Sequence, residues 1–130
     1  MSNPKILVIE DDRINCIIYE TILEDSGVSL EFAYDGEQGI SKFRADEYDL
    51  VLLDLGLPKI DGLTVAREIR KFELTAGKSR TPVIIITANS SPQTRQNIME
   101  VDVDDYMFKP FDLEIFKSKV NNCLKKFARV

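Results

Sequence analysis

Histidine is absent from the 130-residue chain, and cysteine occurs only twice. Without histidine the chain cannot build a Ser-His-Asp or Cys-His catalytic site, and a histidine-ligated metal site is also excluded. Cys16 and Cys123 lie far apart and form no CxxC motif. They therefore predict two buried thiols in a reducing compartment rather than a disulfide framework or a zinc site.

Long apolar runs are missing as well. No run approaches the length needed to span a membrane, and residues 1–5 lack the apolar core of a signal peptide, so we expect a cytoplasmic protein with no membrane partner. The net charge of -5 and a pI near 4.8 argue against direct binding of nucleic acid. With 44% apolar and 30% charged residues, the composition indicates one globular domain over residues 1–130, with a core of about 5–127.

What the chain does contain is a regular alternation of short apolar runs with segments of helical spacing. The runs predict strands at residues 5–9, 29–34, 49–54, 83–87 and 104–108. The predicted helix starts are Asp12 (or Asp11), Glu37, Asp61, Pro92 and Asp112. Because the central strands are continuously apolar, the pattern predicts an α/β fold with a parallel sheet covered on both faces, its second strand at or near an edge.

The inward helix faces follow from apolar spacing. The first helix is predicted to bury most of a face made of Ile14, Ile17, Ile18 and Ile22, and to end near Gly27. The last helix is predicted to bury Leu113, Phe116, Val120, Cys123 (or Leu124) and Phe127. A polar loop is expected over residues 74–82. The helix after Ser90 has few large apolar side chains, so we expect it to be the least firmly held.

Charged and hydroxyl side chains stand where four of the strands end: Glu10 and Asp11, Asp54, Thr87 and Lys109. These ends share one edge of a parallel sheet. Three adjacent carboxylates repel one another unless a cation meets them, and oxygen-only ligands favour Mg²⁺. A divalent cation and the lysine would make the pocket nearly neutral, so that it could accept a phosphoryl group, with Asp54 as the carboxylate nucleophile. Taken singly, each residue has a structural alternative as a cap, a strand threonine or a solvated lysine.

Five motifs occur in order around these residues: Ile-Leu-Val-Ile-Glu10-Asp11-Asp12, Leu-Leu-Asp54-Leu-Gly-Leu-Pro58, Asp61-Gly62, Ile-Thr87-Ala88 and Asp-Tyr106-Met-Phe-Lys109-Pro110-Phe111. Together they resemble a response-regulator receiver domain of the CheY-like type. The resemblance implies a flavodoxin-like, doubly wound sheet of five strands in the order 2-1-3-4-5 with five helices. It also implies a signalling switch in which a histidine kinase or a histidine phosphotransfer protein donates a phosphoryl group to Asp54.

The resemblance further implies the ligands of a metal ion. Asp11 would bind Mg²⁺ directly, Glu10 would act through water or as a helper, and Asp54 and the backbone carbonyl of Gly56 would complete the protein ligands. Mn²⁺ is a possible substitute. Asp12 has no implied part in the metal site and is interpreted as a helix cap.

Other implied roles concern transfer and output. Thr87 and Tyr106 would be the switch pair, and a cis Lys109–Pro110 bond would aim the ammonium at Asp54. A downstream protein could bind the face formed by the fourth helix, fifth strand and fifth helix. The helix after Asp12 would be the docking surface of the phosphodonor.

Some features depart from the family pattern or leave alternatives open. Asp102 stands where the family often has glycine, and Gly56 and Asn89 occupy positions that tune phosphoryl lifetime, which stays unpredicted. A receiver-shaped interaction module that works without phosphorylation is the main alternative. An aspartate-nucleophile phosphatase is a third alternative, but that family has a second aspartate two positions after the nucleophile, where this chain has Gly56. The chain would phosphorylate itself from a phosphodonor and dephosphorylate itself, which would not make it a conventional turnover enzyme. The sequence fits a free-standing receiver, a relay intermediate or part of a larger protein.

Overall fold

The computed structural model describes the backbone of residues 3–128 and the side chains of residues 3–124. Its elements are β1 (Lys5–Ile9), α1 (Arg13–Leu23), β2 (Ser29–Ala33), α2 (Gly36–Ala45), β3 (Leu50–Asp54), α3 (Gly62–Ala76), β4 (Val83–Thr87), α4 (Pro92–Met99), β5 (Asp105–Phe108) and α5 (Leu113–Ala128). The predicted strands are all found, each with bounds that agree to within one residue.

The strands form one parallel sheet in the order β2-β1-β3-β4-β5. This order confirms the predicted flavodoxin-like fold and the edge position of β2. The register pairs Asp54 with Ile86 and Thr87 with Phe108. Because all the strands run in the same direction, the residues at their carboxyl ends share one edge of the sheet.

Two apolar layers cover the sheet, since alternate side chains of a strand point to opposite faces. Leu7 and Ile9 of β1 pack with side chains of α2, α3 and α4 on one face. Ile6 and Val8 pack with side chains of α1 and α5 on the other. Burying each large apolar side chain contributes roughly 1.5–3 kcal/mol, so the two layers hold the sheet edge in place.

Side-chain caps begin the helices. Asp12, Asp61 and Asp112 accept hydrogen bonds from backbone N–H groups of the turn that follows, as predicted. Asp35 and Ser91 act in the same way for α2 and α4. A cap of this kind stabilises a helix by about 1 kcal/mol. All five caps therefore fix helices that begin after the carboxyl end of a strand.

The first helix turns three of its four isoleucines to solvent, so their predicted burial is wrong, whereas Ile22 is half-buried and packs against the core. Ile14, Ile17 and Ile18 are 68%, 60% and 43% exposed and are called the isoleucine patch below. The buried face consists instead of Cys16, Tyr19 and Leu23. Both sets have helical spacing, so periodicity alone could not distinguish them, and the sheet takes the face that carries the tyrosine ring.

Three further helix predictions need correction. The first helix is capped at Glu24, and Gly27 (φ 71°) lies in the turn beyond it. The third helix continues to Ala76 and is closed by Gly77 in the left-handed conformation, so the following loop is shorter than expected. Leu113 is 53% exposed because it starts α5, whereas the predicted inward residues Phe116, Val120, Cys123 and Leu124 are buried. Phe127 lies outside the described side chains.

Cys16 and Cys123 are both buried thiols, as predicted. Within residues 3–128, no helix combines the length and the apolar character that crossing a membrane requires.

A group of charged side chains lies at the amino-terminal edge of the sheet. We call it the basal ion-pair cluster, and it consists of Arg70, Glu73, Arg80, Asp102 and Asp104. Nitrogens of Arg80 lie 2.8 Å from carboxylate oxygens of both Asp102 and Asp104, and Arg70 Nη1 lies 2.9 Å from Glu73 Oε1. Arg70 Nε also donates to the backbone carbonyl of Asp102. Asp102 therefore joins the loops before β4 and β5, which gives it a structural reason to replace glycine.

Candidate functional site

Asp54 ends the buried strand β3 and is itself only 8% exposed. Its Oδ1 accepts a hydrogen bond from the backbone N–H of Gly56 at 3.0 Å, and its Oδ2 lies 3.2 Å from Lys109 Nζ. A carboxylate this buried needs such partners, because removing an anion from water is costly. One side chain oxygen is thus held by the loop after β3 and the other by the loop after β5.

Lys109 reaches the site from the loop that follows β5. Its backbone N–H donates to the carbonyl of Thr87 at 2.8 Å, which ties this loop to the end of β4. Its Nζ lies 3.2 Å from both Glu10 Oε1 and Asp54 Oδ2. Burial alone would lower the pKa of Lys109, but the two facing carboxylates outweigh it and raise the pKa above its ordinary value. The Lys109–Pro110 bond is cis, as predicted.

Three carboxylates gather at this edge. Glu10, Asp11 and Asp54 each present an oxygen, and these oxygens lie within 4.8 Å of one another. Burial, together with the neighbouring Asp54 carboxylate, raises the pKa of Glu10 to about 7. Three acids face one ammonium group, so the group carries an excess of negative charge when all are ionised. This is the arrangement that a hard cation with oxygen ligands would relieve.

The loop between β3 and α3 passes very close to Asp54. A Cβ at Gly62 would lie 2.6 Å from the backbone oxygen of Asp54 and 2.6 Å from the Cα of Leu55. Glycine is therefore required at this position for the loop to fold back over the strand end. The sequence marked Asp61-Gly62 as a loop and a helix cap, but the close approach depends on tertiary packing and could not be inferred from it.

Thr87 lies at the end of β4, where it is 3% exposed. Its hydroxyl oxygen accepts a hydrogen bond from the backbone N–H of Asn89 at 3.1 Å. A cavity of about 450 Å³ opens beside it, lined by residues that include Gly56, Thr87, Asn89 and Thr94. The cavity lies between the carboxyl edge of the sheet and α4, so it provides space in which the threonine side chain can move.

Tyr106 lies on the strand next to Thr87. It pairs in register with Ile85, two positions before the pair formed by Thr87 and Phe108. Its ring is half-buried and contacts the ring of Phe108 at a centroid distance of 5.5 Å. Arg95 of α4 lies over the other ring of this pair, with Cζ 4.4 Å from the Phe108 centroid. The two residues predicted as a switch pair are thus on adjacent strands, next to α4.

Two further residues contact the site, both on the buried face of α1, and neither was predicted. Tyr19 donates a hydrogen bond from its hydroxyl to Glu10 Oε1 at 3.2 Å. Cys16 Sγ lies 3.7 Å from the backbone oxygen of Glu10, and burial and the nearby carboxylate raise its pKa to about 11. The spacing of these two residues with Leu23 was a signal for the buried face, but it competed with the stronger apolar character of the isoleucines.

A family model for the response regulator receiver domain matches residues 6–121. The chain belongs to this family. The receiver domain is 37% identical over 122 residues to the response regulator ArlR of Staphylococcus saprophyticus, in an alignment that covers 94% of this chain and 53% of ArlR. The chain therefore spans about half the length of the curated relatives it matches.

Solved structures give the same fold for the receiver domain. A two-component response regulator from Clostridium difficile superposes with a TM-score of 0.85 at 32% identity, covering 98% of this chain and 99% of the other. The receiver domain of the sensor histidine kinase PA1611 from Pseudomonas aeruginosa superposes with a TM-score of 0.80 at 30% identity, covering 97% and 98%. The latter structure has a magnesium ion coordinated in its active-site cleft. The predicted family, fold and signalling function are confirmed, and the interaction-module alternative is not favoured.

Proposed function

We propose that Asp54 accepts a phosphoryl group from the phosphohistidine of a histidine kinase or a histidine phosphotransfer protein. The supporting observation is the buried Asp54 carboxylate with Lys109 Nζ at 3.2 Å and the other acids beside it. Since the chain contains no histidine, the donor is another protein or domain. An oxygen of Asp54 attacks phosphorus, and the P–N bond to the donor breaks. The donor's nitrogen keeps the bonding electrons and takes up a proton.

Lys109 and Thr87 assist this transfer. The ammonium of Lys109 already lies at hydrogen-bond distance from the acceptor carboxylate, so it can offset negative charge on the incoming group. The hydroxyl of Thr87 accepts from Asn89, and its own proton is suited to donation to a phosphoryl oxygen. Neither residue needs to form a covalent bond, because phosphoryl transfer depends mainly on positioning and charge stabilisation.

The acidic residues fit Mg²⁺, since all the side-chain donors are carboxylate oxygens that converge on one point. Asp11 and Asp54 are assigned as direct ligands, Glu10 as a ligand through water or a helper, and Gly56 as the donor of a backbone carbonyl. The bound cation would offset negative charge on the transferred group. Mn²⁺ suits the same oxygen donors. The site would then approach neutrality, because the cation adds two positive charges to that of Lys109.

Phosphorylation is read out through Thr87, Tyr106 and the face of α4, β5 and α5. The helix α4 has eight residues, and Ile98 is its buried residue. Little apolar contact therefore opposes a shift of this helix. Movement of Thr87 toward a phosphoryl group would change what its neighbouring strand and α4 contact. A ligand event of this kind acts by shifting a two-state equilibrium, which a downstream protein on this face can detect.

The isoleucine patch is assigned to docking of the phosphodonor. Its three side chains are exposed on α1, the helix that directly follows Glu10 and Asp11. Exposed apolar clusters on a charged surface mark protein interaction sites. A donor bound there would approach the same edge of the sheet at which Asp54 lies.

The remaining assignments concern the chain as a whole. We assign residues 1–130 to one receiver domain with a core of about 5–127, located in the cytoplasm. The net charge of -5 supports the absence of direct contact with nucleic acid by this domain.

The test of phosphoacceptor function is an intact-mass measurement after incubation with Mg²⁺ and acetyl phosphate. We expect one phosphoryl adduct on the wild type, and none after Asp54→Asn or after addition of a chelator. Asp49→Asn is the matched control, because Asp49 is an exposed acid just before β3 and should leave the adduct intact. No adduct on the wild type, together with no Mg²⁺ binding, would favour the interaction module.

The switch assignment has its own measurement. NMR spectra with and without a phosphoryl mimic should show shifts over residues 87–111, including Thr87 and Tyr106. Shifts confined to residues 10, 11 and 54 would contradict the assigned output face while leaving the phosphoacceptor assignment intact.

A further inference from the structure

Tyr19 is a buried hydroxyl-bearing residue in the middle of α1, with 2% of its surface exposed. It does not stand at a strand end, and the roles assigned above do not use it. Its hydroxyl nevertheless donates to Glu10 Oε1 at 3.2 Å. Burial and the charge of Glu10 raise the pKa of Tyr19, so the hydroxyl keeps its proton and remains a donor at neutral pH.

The carboxyl group of Glu10 is held by three donors. Oε1 accepts from Tyr19 and from Lys109 Nζ, each at 3.2 Å, and Oε2 accepts from the backbone N–H of Asp12 at 3.2 Å. Lys109 divides its ammonium between Glu10 and Asp54. Tyr19 therefore positions Glu10 through a neutral donor. It does so without competing with Asp54 for the ammonium of Lys109.

The ring of Tyr19 is fixed in turn by aromatic contacts. It stacks on Phe116 of α5 at a centroid distance of 5.6 Å and on Phe111 at 6.3 Å. Those two phenylalanine rings stack on each other at 5.1 Å. Phe111 follows Lys109 by two residues. The three rings thus connect α1 and α5 to the loop that carries the lysine, and they determine where the tyrosine hydroxyl can lie.

We propose that Tyr19 is a positioning residue of the acidic site, whose hydroxyl orients Glu10 for binding a divalent cation next to Asp11 and Asp54. The inference rests on the proposed function, because it assumes that this site binds Mg²⁺. It extends that function to a side chain outside the strand ends. Removing a residue that hydrogen-bonds to a metal ligand without contacting the metal commonly weakens metal binding by about ten- to a hundredfold.

The test compares Tyr19→Phe with Tyr48→Phe. Both changes remove a buried hydroxyl that donates to a glutamate and keep the ring, but Tyr48 donates to Glu31, a residue of the edge strand β2. The dissociation constant for Mg²⁺, measured by titration calorimetry, should rise about tenfold for Tyr19→Phe and stay within about twofold of the wild type for Tyr48→Phe. Urea unfolding in chelator checks that the two variants are folded to a similar extent.

A role of the tyrosine in packing alone would not change Mg²⁺ affinity, because the ring remains. A dissociation constant for Tyr19→Phe within about twofold of the wild type, or a lower one, overturns the inference. If the wild type itself binds no Mg²⁺, the proposed function fails first. If the wild type binds and both variants bind equally, the inference fails alone.

A second measurement uses the unmodified protein and does not depend on the stability of a variant. Ring signals of the tyrosines are followed by NMR while Mg²⁺ is added to saturation. The signal of Tyr19 should shift, and that of Tyr48 should stay unchanged. A Tyr19 signal that does not respond to Mg²⁺ overturns the inference.

Discussion

The two edges of the sheet both collect charged side chains, yet they do so in different ways. At the amino-terminal edge, the basal ion-pair cluster combines two guanidinium groups with three carboxylates. At the carboxyl edge, three carboxylates lie together, and the ammonium of Lys109 contacts two of them, Glu10 and Asp54. The first group has nearly balanced charge, and the second carries an excess of negative charge.

Hydrogen bonding follows the same division. In the basal ion-pair cluster, Glu73 accepts from Arg70 and from the backbone N–H of Thr81, and Asp104 accepts from Arg80 and from the backbone N–H of Val83. Each buried carboxylate there has a partner at each oxygen. At the carboxyl edge, the single lysine is divided between two acids. The difference indicates that the first group serves stability and that the second is built to receive a cation.

The pKa directions separate the two edges as well. The Arg80 guanidinium lowers the pKa of Asp102 below its ordinary value. Burial and the Asp54 carboxylate raise the pKa of Glu10 to about 7. The charged form of Asp102 is thus favoured in the basal ion-pair cluster, whereas the charged form of Glu10 is disfavoured in the site.

The largest effect on stability is expected from Arg70→Met, which leaves Glu73 and Asp104 buried without that guanidinium. We expect the free energy of unfolding to fall by about 3 kcal/mol, because breaking a buried ion pair leaves an uncompensated charge. Urea unfolding measures it, with Lys71→Met on the exposed side of the same helix as the control. A loss below about 1 kcal/mol would contradict a structural role of the cluster.

In metal-free protein, Glu10 is expected to make the free energy of unfolding depend on pH. The folded protein keeps this proton up to a pH of about 7, whereas the unfolded chain releases it near the ordinary value of 4.5. The folded state therefore binds more protons in this window, and the free energy of unfolding falls as pH rises through it. We expect a loss of about 2 kcal/mol between about pH 5 and pH 8, measured by urea unfolding in chelator.

Glu10→Gln provides the control for this pH dependence, because glutamine has no proton to release in the window. The variant should give a flatter profile than the wild type over the same range. If the free energy of unfolding of the wild type stays level or rises between about pH 5 and pH 8, the raised pKa of Glu10 does not contribute to stability.

A smaller effect is expected from Asp54→Asn. Removing one of three crowded negative charges should raise the free energy of unfolding of the metal-free protein by about 1 kcal/mol, while Mg²⁺ binding is lost. Urea unfolding and titration calorimetry measure the two quantities. Asp49→Asn, just before the same strand, should change neither by much. A destabilised Asp54→Asn protein would mean that this carboxylate is as well compensated as those of the basal ion-pair cluster.

The smallest effect on stability is expected from Ile17→Ser in the isoleucine patch. Because the side chain is exposed, unfolding should change by less than about 0.5 kcal/mol. Phosphoryl transfer from a phosphorylated histidine phosphotransfer protein should slow, whereas phosphorylation by acetyl phosphate should keep its rate. Leu74→Ser, which removes an exposed apolar side chain from α3, is the control. Equal slowing with both donors would argue against a docking role.

The strands and the site were predictable because both depend on local patterns. Continuous apolar runs mark buried parallel strands, and one topological rule brings their carboxyl ends together. The orientation of α1 was not predictable, because the isoleucines and the buried set of Cys16, Tyr19 and Leu23 both have helical spacing. The hydroxyl contact of Tyr19 with Glu10 depends on that orientation.

The basal ion-pair cluster was also outside the reach of sequence patterns. Arg70 and Asp102 are separated by 32 residues, and Arg80 and Asp104 by 24. Their contacts exist only once α3 and the loop before β5 are packed beside each other. Asp102 could be recognised as a departure from the family pattern, but its partners could not be named.

The most direct test of the account is to locate the phosphoryl group on the protein. After incubation with acetyl phosphate and Mg²⁺, borohydride reduction of the acyl phosphate and peptide mass mapping identify the modified residue. We expect modification at Asp54 alone, which should be retained in Arg70→Met protein that is still folded and absent in Asp54→Asn. Modification of Glu10 or Asp11 in the wild type, or an adduct that persists in Asp54→Asn, would contradict this expectation.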